Sequence, residues 1–308
     1  MYKLRLLLGD IIGLILLAFF KKTALGKFNT HVLSIYFHNP SIYLFKGIIR
    51  FLKASGFQFI DEKLFYKITI GKQEVLGRKV FISFDDAWQG NLKLMPVIEK
   101  YKIPISLFVP VEPVVHGNYW WEYADCLKSE SSYSNAIEDL KKLTNKKRIE
   151  IIQKLMQEFH LKRSAITLKE LEYLHKHPLV TIGSHTYHHP ITIQCTSDEL
   201  DFEYRESKKT LERWLNTKIS SFAFPNGNYG ERDLNLLKKH GYKMAFTTNP
   251  NLMNRGSVYE IPRVSINTKG GRYENICRML GLWHQYVQPL QLKLKSISHK
   301  FKIEKQFS

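Results

Sequence analysis

Short apolar runs and amphipathic segments alternate along most of the chain, and this alternation restricts its fold more than any other feature. The runs at 32–36 and 79–84 are typical of buried strands. Between them, residues 43–53 have helical spacing that ends at Gly56. The same order repeats as far as residues 264–266. Such alternation predicts a parallel sheet covered by helices, and right-handed crossovers then favour a barrel or an open doubly wound sheet.

One stretch interrupts this rhythm. Residues 111–165 are polar and rich in lysine and glutamate, and they carry three consecutive aromatic residues, Tyr119, Trp120 and Trp121. We interpret the stretch as an insertion of one or two helices. The aromatic residues either lie beside a binding site or form a small local core.

The first 28 residues combine a hydrophobic run at 6–20 with basic residues on both sides. The run is shorter than the roughly 20 residues needed to cross a bilayer, and Asp10 interrupts it. No small-residue cleavage pattern follows it. Three alternatives remain open: a membrane-associated anchor, an uncleaved signal or span, and a buried helix. Because the flanking charges are alike, they do not orient it.

The other end of the chain is similar in character. Residues 271–308 form a predicted basic tail in which apolar residues interleave with lysines. Such a tail suits an anionic lipid surface, although a solvated helix packed on the domain explains it equally well. We therefore divide the chain into a hydrophobic segment at 1–28, a main domain at 29–270 with its insertion, and the tail.

The charge balance points to an anionic partner. Lysine and arginine number 46 against 28 acidic residues, which gives a formal charge of +18. Nucleic acid, an anionic membrane surface and an acidic polymer are the candidates. The sequence contains no helix-turn-helix, zinc-finger or RNP pattern, which argues against nucleic acid. The 3 cysteines are too sparse for a disulfide framework or a structural zinc site.

Three polar clusters follow predicted strands. In α/β barrels the carboxyl ends of the strands form one face, on which catalytic groups from separate strands converge. The clusters are Asp85-Asp86 after residues 79–84, His185 with His189 after residues 179–182, and Pro225-Asn226 after residues 221–224.

These residue types are suited to holding a divalent metal. Adjacent carboxylates such as Asp85 and Asp86 repel each other unless a cation compensates them. His185 and His189 are four residues apart, so one helical turn would place both imidazoles on one side. Two histidines and one carboxylate leave coordination positions open for water and substrate. Taken singly, each cluster has a structural explanation as a loop or helix cap, but together they favour a metal hydrolase.

The same residues carry a resemblance to a known family. FISFDDAWQGN, GSHTYHHP and FAFPNGNYG resemble the three motifs of the polysaccharide deacetylases, the NodB-homology family or carbohydrate esterase family four. The third motif is similar to that of the branch that reads FAYPxG. The likeness covers roughly residues 32–268 and implies a distorted (β/α) barrel.

The resemblance implies a role for each matching residue. Asp86, His185 and His189 would bind a divalent metal, which we expect to be zinc. Asp85 would be the base that takes a proton from the attacking water, and the metal would polarise the acetyl carbonyl. A backbone N–H at Asn226 would help to hold the oxyanion.

Two positions depart from the family pattern. The usual glycine after the paired aspartates is Ala87 here, a mild change unless the position needs a positive φ. The arginine that the family usually carries two residues before the proline of the third motif, and that orients the base, is Ala223 here. Arg263 is our candidate replacement, with a plain surface arginine as the alternative.

Two histidines compete for the role of general acid. His284, in Leu282-Trp283-His284, matches the family's usual letter pattern. His38 ends a clear strand and resembles a residue of the permuted members that act on poly-N-acetylglucosamine. We prefer His38.

The predicted activity is metal-dependent removal of acetyl groups from a glycan or a lipid-linked sugar, most often N-acetyl and secondarily O-acetyl. We expect Pro225, Trp120 and Trp121 to contact the substrate together with Asn226, since sugar rings stack on aromatic faces. We expect the protein to be membrane-associated or in the cell envelope. The alternative is a degenerate member that keeps the fold and binds glycan or membrane without catalysis, an alternative that rests on Ala223 and the unsettled acid.

Overall fold

Parallel strands form a curled sheet, as the alternation predicts. The computed structural model describes residues 2–127, 135–250 and 257–293. The order across the sheet is β7-β6-β5-β4-β3-β1-β8, with β2 pairing beside β3, and every pair of neighbours is parallel. Within the described ranges the strands are β1 (Val32–Phe37), β2 (Gln58–Phe59), β3 (Lys79–Asp85), β4 (Ile105–Val109), β5 (Val180–Ser184), β6 (Ser221–Ala223), β7 (Met244–Phe246) and β8 (Val264–Ser265).

The segment that contains β8 connects the two edges of the sheet. Ile261 pairs with Phe246 at the end of β7, and Val264 pairs with Ile35 of β1. The pairing at β7 is a single bridge, so the sheet closes only in part. The predicted fold class, a distorted (β/α) barrel, is confirmed.

Helices connect the strands and cover the sheet. Over the described residues they are α1 (Tyr2–Gly26), α2 (Ile42–Ala54), α3 (Glu62–Thr69), α4 (Met95–Tyr101), α5 (Val111–His116), α6 (Trp120–Cys126), α7 (Ala136–Lys142), α8 (Asn145–Glu158), α9 (Leu168–His175), α10 (Ser197–Leu215), α11 (Glu231–Lys239) and α12 (Arg272–Met279). The described part of the stretch at 111–165 is mainly helical, as predicted, and α6 and α8 pack on each other in a small core of their own.

Strand alternation separates two apolar layers. Val80, Ile82 and Phe84 of β3 face the helices and join the main core. Phe81 points inward, where it stacks on Phe246 of β7 with ring centroids 5.2 Å apart. Because successive side chains alternate, the last residue of β3, Asp85, also points inward. This places a carboxylate inside the carboxyl end of the barrel.

A second carboxylate lies at the other end of the barrel. Glu62, in the first turn of α3, is buried, and its Oε2 accepts hydrogen bonds from Ser106 Oγ (2.8 Å) and Ser221 Oγ (3.0 Å). Those serines lie near the starts of β4 and β6, so α3 covers the amino end. Burial raises the pKa of Glu62 to about 7, although the two serine hydroxyls oppose the shift.

The two ends of the described chain pack against each other. Asp10 of α1 accepts hydrogen bonds from the backbone N–H groups of Tyr273 (2.8 Å) and Glu274 (3.1 Å), in the first turn of α12. The residue that interrupts the apolar run is therefore a helix cap. No helix in the described ranges has both the length and the apolar character needed to cross a bilayer.

The structure differs from the predicted organisation at residue 271. Ile276 and Cys277 of α12 are buried in the main core, so the residues just after 270 belong to the domain and not to a separate tail. The sequence pattern missed this because the core partner of α12 is α1, more than 260 residues earlier. The lysines at 295, 300, 302 and 305 lie outside the described residues.

Candidate metal centre

Asp86, His185 and His189 converge at the carboxyl ends of β3 and β5. Asp86 Oδ1 lies 3.4 Å from His185 Nε2 and 3.3 Å from His189 Nε2. One ligand atom from each of the three residues lies within 4.8 Å of the others, and all three residues are buried. The structure thus brings together the residues that the sequence assigned to a metal.

The hydrogen bonds around the triad leave its inward atoms available as ligands. His185 Nδ1 donates to the backbone oxygen of Ala223 at 2.7 Å, which leaves the lone pair on Nε2 directed at the site. Asp86 Oδ2 accepts from Trp88 Nε1 at 3.0 Å, whereas Oδ1 is buried without a hydrogen-bond partner. A buried carboxylate oxygen without a partner is costly.

The electrostatics favour a charged carboxylate and neutral imidazole. Burial would raise the pKa of Asp86, but the adjacent His185 and His189 outweigh burial and hold that pKa well below its usual range. Burial lowers the pKa of His189, despite the neighbouring Asp86. Two neutral imidazole nitrogens and one carboxylate oxygen fit a divalent cation such as zinc and leave positions open for substrate. The unpartnered Oδ1 is the atom such an ion would satisfy.

The backbone around the triad adopts a rare conformation. Five non-glycine residues here have positive φ, a conformation that stores strain and is concentrated at functional sites. The position that usually carries glycine is one of them, so Ala87 holds a left-handed conformation that glycine adopts more easily. The five are Asp86 (73°), Ala87 (59°), Thr186 (70°), His189 (54°) and Asn226 (54°).

Two polar groups hold these loops in place. Glu203 of α10 is buried, and its Oε2 accepts from the backbone N–H groups of Tyr187 (2.8 Å) and His188 (2.9 Å). Tyr119 donates from its hydroxyl to the backbone oxygen of Asp86 at 2.8 Å. Both loops that carry metal-ligand candidates are therefore fixed by side chains from other elements.

Asp85 is paired with Arg263 inside the barrel. Arg263 Nη1 lies 2.7 Å from Asp85 Oδ1 and Nη2 lies 2.9 Å from Oδ2, a bidentate arrangement. Arg263 is fully buried, and its remaining donors reach Ser83 Oγ (3.0 Å) and the backbone oxygen of Thr247 (3.1 Å). It is not a surface arginine. The guanidinium that the third motif lacks at Ala223 thus reaches the proposed base from the segment before β8.

The two candidate acids have different surroundings. His38 follows β1, is half-buried, and lines the cavity that contains Asp85 and the triad. His284 is exposed in a π-helical turn (Trp283–Val287) and pairs with Gln288. The structure therefore brings His38 to the site and leaves His284 outside it.

A cavity of about 560 Å³ opens above the triad. Trp120 and Trp121 line it, as does Asn226, whereas Pro225 is buried and is not among the lining residues. Seven further residues line the cavity that were not predicted as site residues. Of these, Trp88 had a signal in the sequence, because it lies two positions after the paired aspartates. The seven are Tyr36, Trp88, Ile137, Glu138, Lys141, Phe224 and Thr248.

The aromatic wall supports the triad directly. Trp120 donates from Nε1 to the backbone oxygen of His189 at 3.0 Å. Trp121 packs edge-on against the His189 ring, with centroids 4.7 Å apart, and it also stacks on the ring of Tyr119. Tyr119 is fully buried behind them, so only the two tryptophans of this aromatic trio line the cavity.

Comparisons with known proteins agree with this geometry. A family model described as polysaccharide deacetylase matches residues 72–245. Comparison with curated proteins gives no match.

Solved structures share the fold at low sequence identity. A deacetylase from Streptococcus pyogenes, PplD, in complex with acetate, is 17% identical over 82% of this chain and 97% of its own, with a TM-score of 0.59. IcaB from Ammonifex degensii is also 17% identical, with the same coverage and a TM-score of 0.61. The polysaccharide deacetylase BC0361 from Bacillus cereus is 16% identical over 81% of this chain and 69% of its own, with a TM-score of 0.56.

Proposed function

This chain belongs to the polysaccharide deacetylase family, and from that premise we propose that it is a metal-dependent hydrolase that removes acetyl groups from a glycan or a lipid-linked sugar. We propose N-acetyl groups as the main target and O-acetyl groups as a secondary one. The observation that carries the proposal is the buried, unpartnered Asp86 Oδ1 between two imidazole nitrogens.

Asp86, His185 and His189 would hold the metal. The chemistry that a divalent ion held there would supply, zinc in our proposal, is polarisation of the acetyl carbonyl and a lower pKa for water. The hydrogen bond from His185 to Ala223 and the indole of Trp88 on Asp86 keep the two side chains oriented toward the site. The chain thus fixes the orientation of its metal ligands through hydrogen bonds from neighbouring groups.

Asp85 would remove the proton from the attacking water. Its two oxygens are fixed by the fork of Arg263, so the carboxylate keeps one orientation and its charge is compensated in the buried site. Each oxygen retains a further lone pair that can accept the proton. Because Arg263 holds the carboxylate of Asp85 rigidly, the conformational entropy of orienting the base is already lost before substrate binds.

His38 would return a proton to the leaving amine. It lines the same cavity as Asp85, and an amide leaving group departs only after protonation. Asn226 follows β6 and lines the same cavity, and its backbone N–H would contact the oxyanion. Trp120 and Trp121 would bind the sugar ring.

The test compares two adjacent aspartates. The full chain is loaded with zinc, and acetate release from N-acetylglucosamine oligomers is measured alongside metal content. Asp86→Asn should lose both metal and activity. Asp85→Asn should keep the metal but lower activity by about 10²- to 10⁴-fold, the usual contribution of a positioned base. Asp198→Asn, at the first turn of α10, is the control.

Two outcomes would contradict the proposal. One is a zinc-loaded protein that releases no acetate from N-acetylated or O-acetylated glycans. The other is an Asp86→Asn variant that retains full metal content and full activity, since the unpartnered oxygen would then have no role.

A further inference from the structure

Helix α1 has a second apolar face that is largely exposed in the part of the chain that the structure describes. Six side chains on one side of the helix are between 43% and 77% exposed. At 100° per residue they fall on a single stripe. We call this stripe the outer face of α1; it consists of Leu4, Leu7, Leu8, Ile11, Ile15 and Phe19.

The opposite side of α1 already makes the contacts that hold the helix to the domain. Gly9 and Gly13 are buried there, and a Cβ on Gly13 would lie 2.6 Å from the backbone carbon of Tyr273. Cys277 donates from Sγ to the backbone oxygen of Gly13 at 3.2 Å. The two helices thus pack closely through glycine. Since this inner side makes the contacts that fix α1, the outer face remains as a contiguous exposed apolar patch, a feature that marks interaction sites.

Basic residues flank the outer face. Lys3 and Arg5 lie at its start and Lys21 and Lys22 at its end, and all four are exposed. An apolar stripe bounded by cations matches the boundary between acyl chains and anionic headgroups, where long basic side chains extend to the phosphates. The net charge of +18 adds attraction to such a surface.

We propose that the outer face of α1 binds an anionic lipid bilayer, with the helix lying along the surface. The finding that no described helix suits a full crossing is consistent with this in-plane arrangement. The proposal concerns membrane binding and is independent of whether the metal centre hydrolyses acetyl groups.

Helix α12 places part of α1 near the carboxyl edge of the barrel. Asn275, in the first turn of α12, exchanges hydrogen bonds with the backbone of Asn267, two residues after β8 ends. The start of α12, and with it Asp10, is therefore near the carboxyl edge of the barrel, the edge that carries the metal triad. The amino-terminal part of α1 lies beside α12 and the residues after it, because Leu4 and Leu8 line a groove with Arg278 and Trp283.

Vesicle sedimentation tests the proposal. The full chain is mixed with vesicles of phosphatidylcholine alone or with phosphatidylglycerol. We expect binding that is stronger with phosphatidylglycerol. Replacing Ile11→Glu together with Ile15→Glu should weaken binding at least about tenfold, because two charges then have to enter the apolar boundary. Ile193→Glu, at an isoleucine that is 55% exposed on another part of the surface, is the matched control and should bind normally.

Further measurements separate this proposal from its rivals. Thermal unfolding and acetate release from soluble oligomers should be unchanged in the double variant, which would show that folding and catalysis are intact. If the double variant unfolds, Leu4→Gln with Leu7→Gln replaces it. The proposal is overturned if the full chain binds neither vesicle, or if the variants bind as well as the parent. Sedimentation velocity tests the alternative that the outer face binds a second copy of the chain. That alternative holds if the parent does not bind vesicles but forms a dimer, and the double variant does not.

Discussion

Arg263 and Asp85 form a bidentate ion pair inside the barrel, although 178 residues separate them in sequence. The guanidinium also lies 4.3 Å from the centroid of the Tyr36 ring, so an aromatic face and a carboxylate hold it from two sides. A pair buried this completely stabilises the fold only while both partners are present.

We predict that Arg263→Lys lowers kcat by about 10- to 100-fold and leaves metal content unchanged. Lysine keeps the charge but lacks the planar fork, so Asp85 would lose its fixed orientation. Arg263→Met should instead reduce the free energy of unfolding by about 3–5 kcal/mol, since it leaves a buried carboxylate unpaired. Steady-state kinetics and denaturant unfolding measure the two effects. Arg205→Lys, which alters an exposed ion pair, should change neither.

We predict that His38→Gln lowers the rate on N-acetylated oligomers by about 10²- to 10⁴-fold, with metal content unchanged. On an activated acetyl ester the loss should be much smaller, because that leaving group departs without a proton. His284→Gln is the matched control, since that residue is exposed and outside the cavity. Equal losses on both substrates would contradict the acid role.

We predict that Trp121→Ala weakens binding of glycan oligomers by about three- to tenfold, the worth of one aromatic stacking contact. Its effect should appear in KM. Because Trp121 also packs on His189, metal content must be measured in the same samples. Tyr43→Ala, at a ring that is 77% exposed and does not line the cavity, is the control. An unchanged KM would remove Trp121 from the substrate contacts.

We predict that Glu62 makes the fold less stable as pH rises from about 4.5 to about 7. Its pKa is about 7 in the folded protein against 4.5 for an ordinary glutamate. The folded state therefore holds a proton that the unfolded state has released, and stability present below pH 4.5 is lost as pH rises through 7. The loss attributable to this group is about 3 kcal/mol.

Denaturant unfolding between pH 4 and 8 checks the Glu62 prediction. Glu62→Gln keeps an acceptor for Ser106 and Ser221 but cannot ionise, so it should flatten the profile and be more stable than the parent at pH 8. Asp198→Asn is the control because it removes an exposed carboxylate in the first turn of α10, away from Glu62, and should leave the profile in place. A Glu62→Gln profile parallel to that of the parent would contradict the assignment.

Local sequence patterns were sufficient for the features that depend on one strand and the residues after it. Asp86, His185 and His189 could be assigned because parallel strands deliver their carboxyl ends to one face. The pairing of Arg263 with Asp85 could be proposed only from the family's missing arginine, because no local pattern links a residue before β8 to the end of β3. The positive φ at Ala87 could likewise be anticipated only from the family's usual glycine, since alanine carries no signal for that conformation.

Long-range packing was the part that sequence patterns could not supply. Asp10 looked like an interruption of a hydrophobic run, and α12 looked like part of a basic tail. The role of each became clear only from their contact in the structure. The carboxylate of Asp10 accepts hydrogen bonds from the free N–H groups at the start of α12, which is distant in sequence. Trp88 is a different case, because it is close to Asp86 in sequence. Its indole reaches the Asp86 carboxylate through the left-handed turn at Asp86 and Ala87, a turn that the residue types do not indicate.

The contact between α1 and α12 also has a consequence for the order of events during synthesis. Asp10 and Tyr273 are 263 positions apart. At about 5–20 residues per second, α1 would wait roughly 13–50 s on the ribosome before α12 exists to receive it. Throughout that interval the side of α1 that carries Gly9 and Gly13 lacks its partner in α12. A nascent chain held beside a bilayer could place the outer face in lipid first, so that the glycine side would meet α12 last and complete the barrel as translation ends.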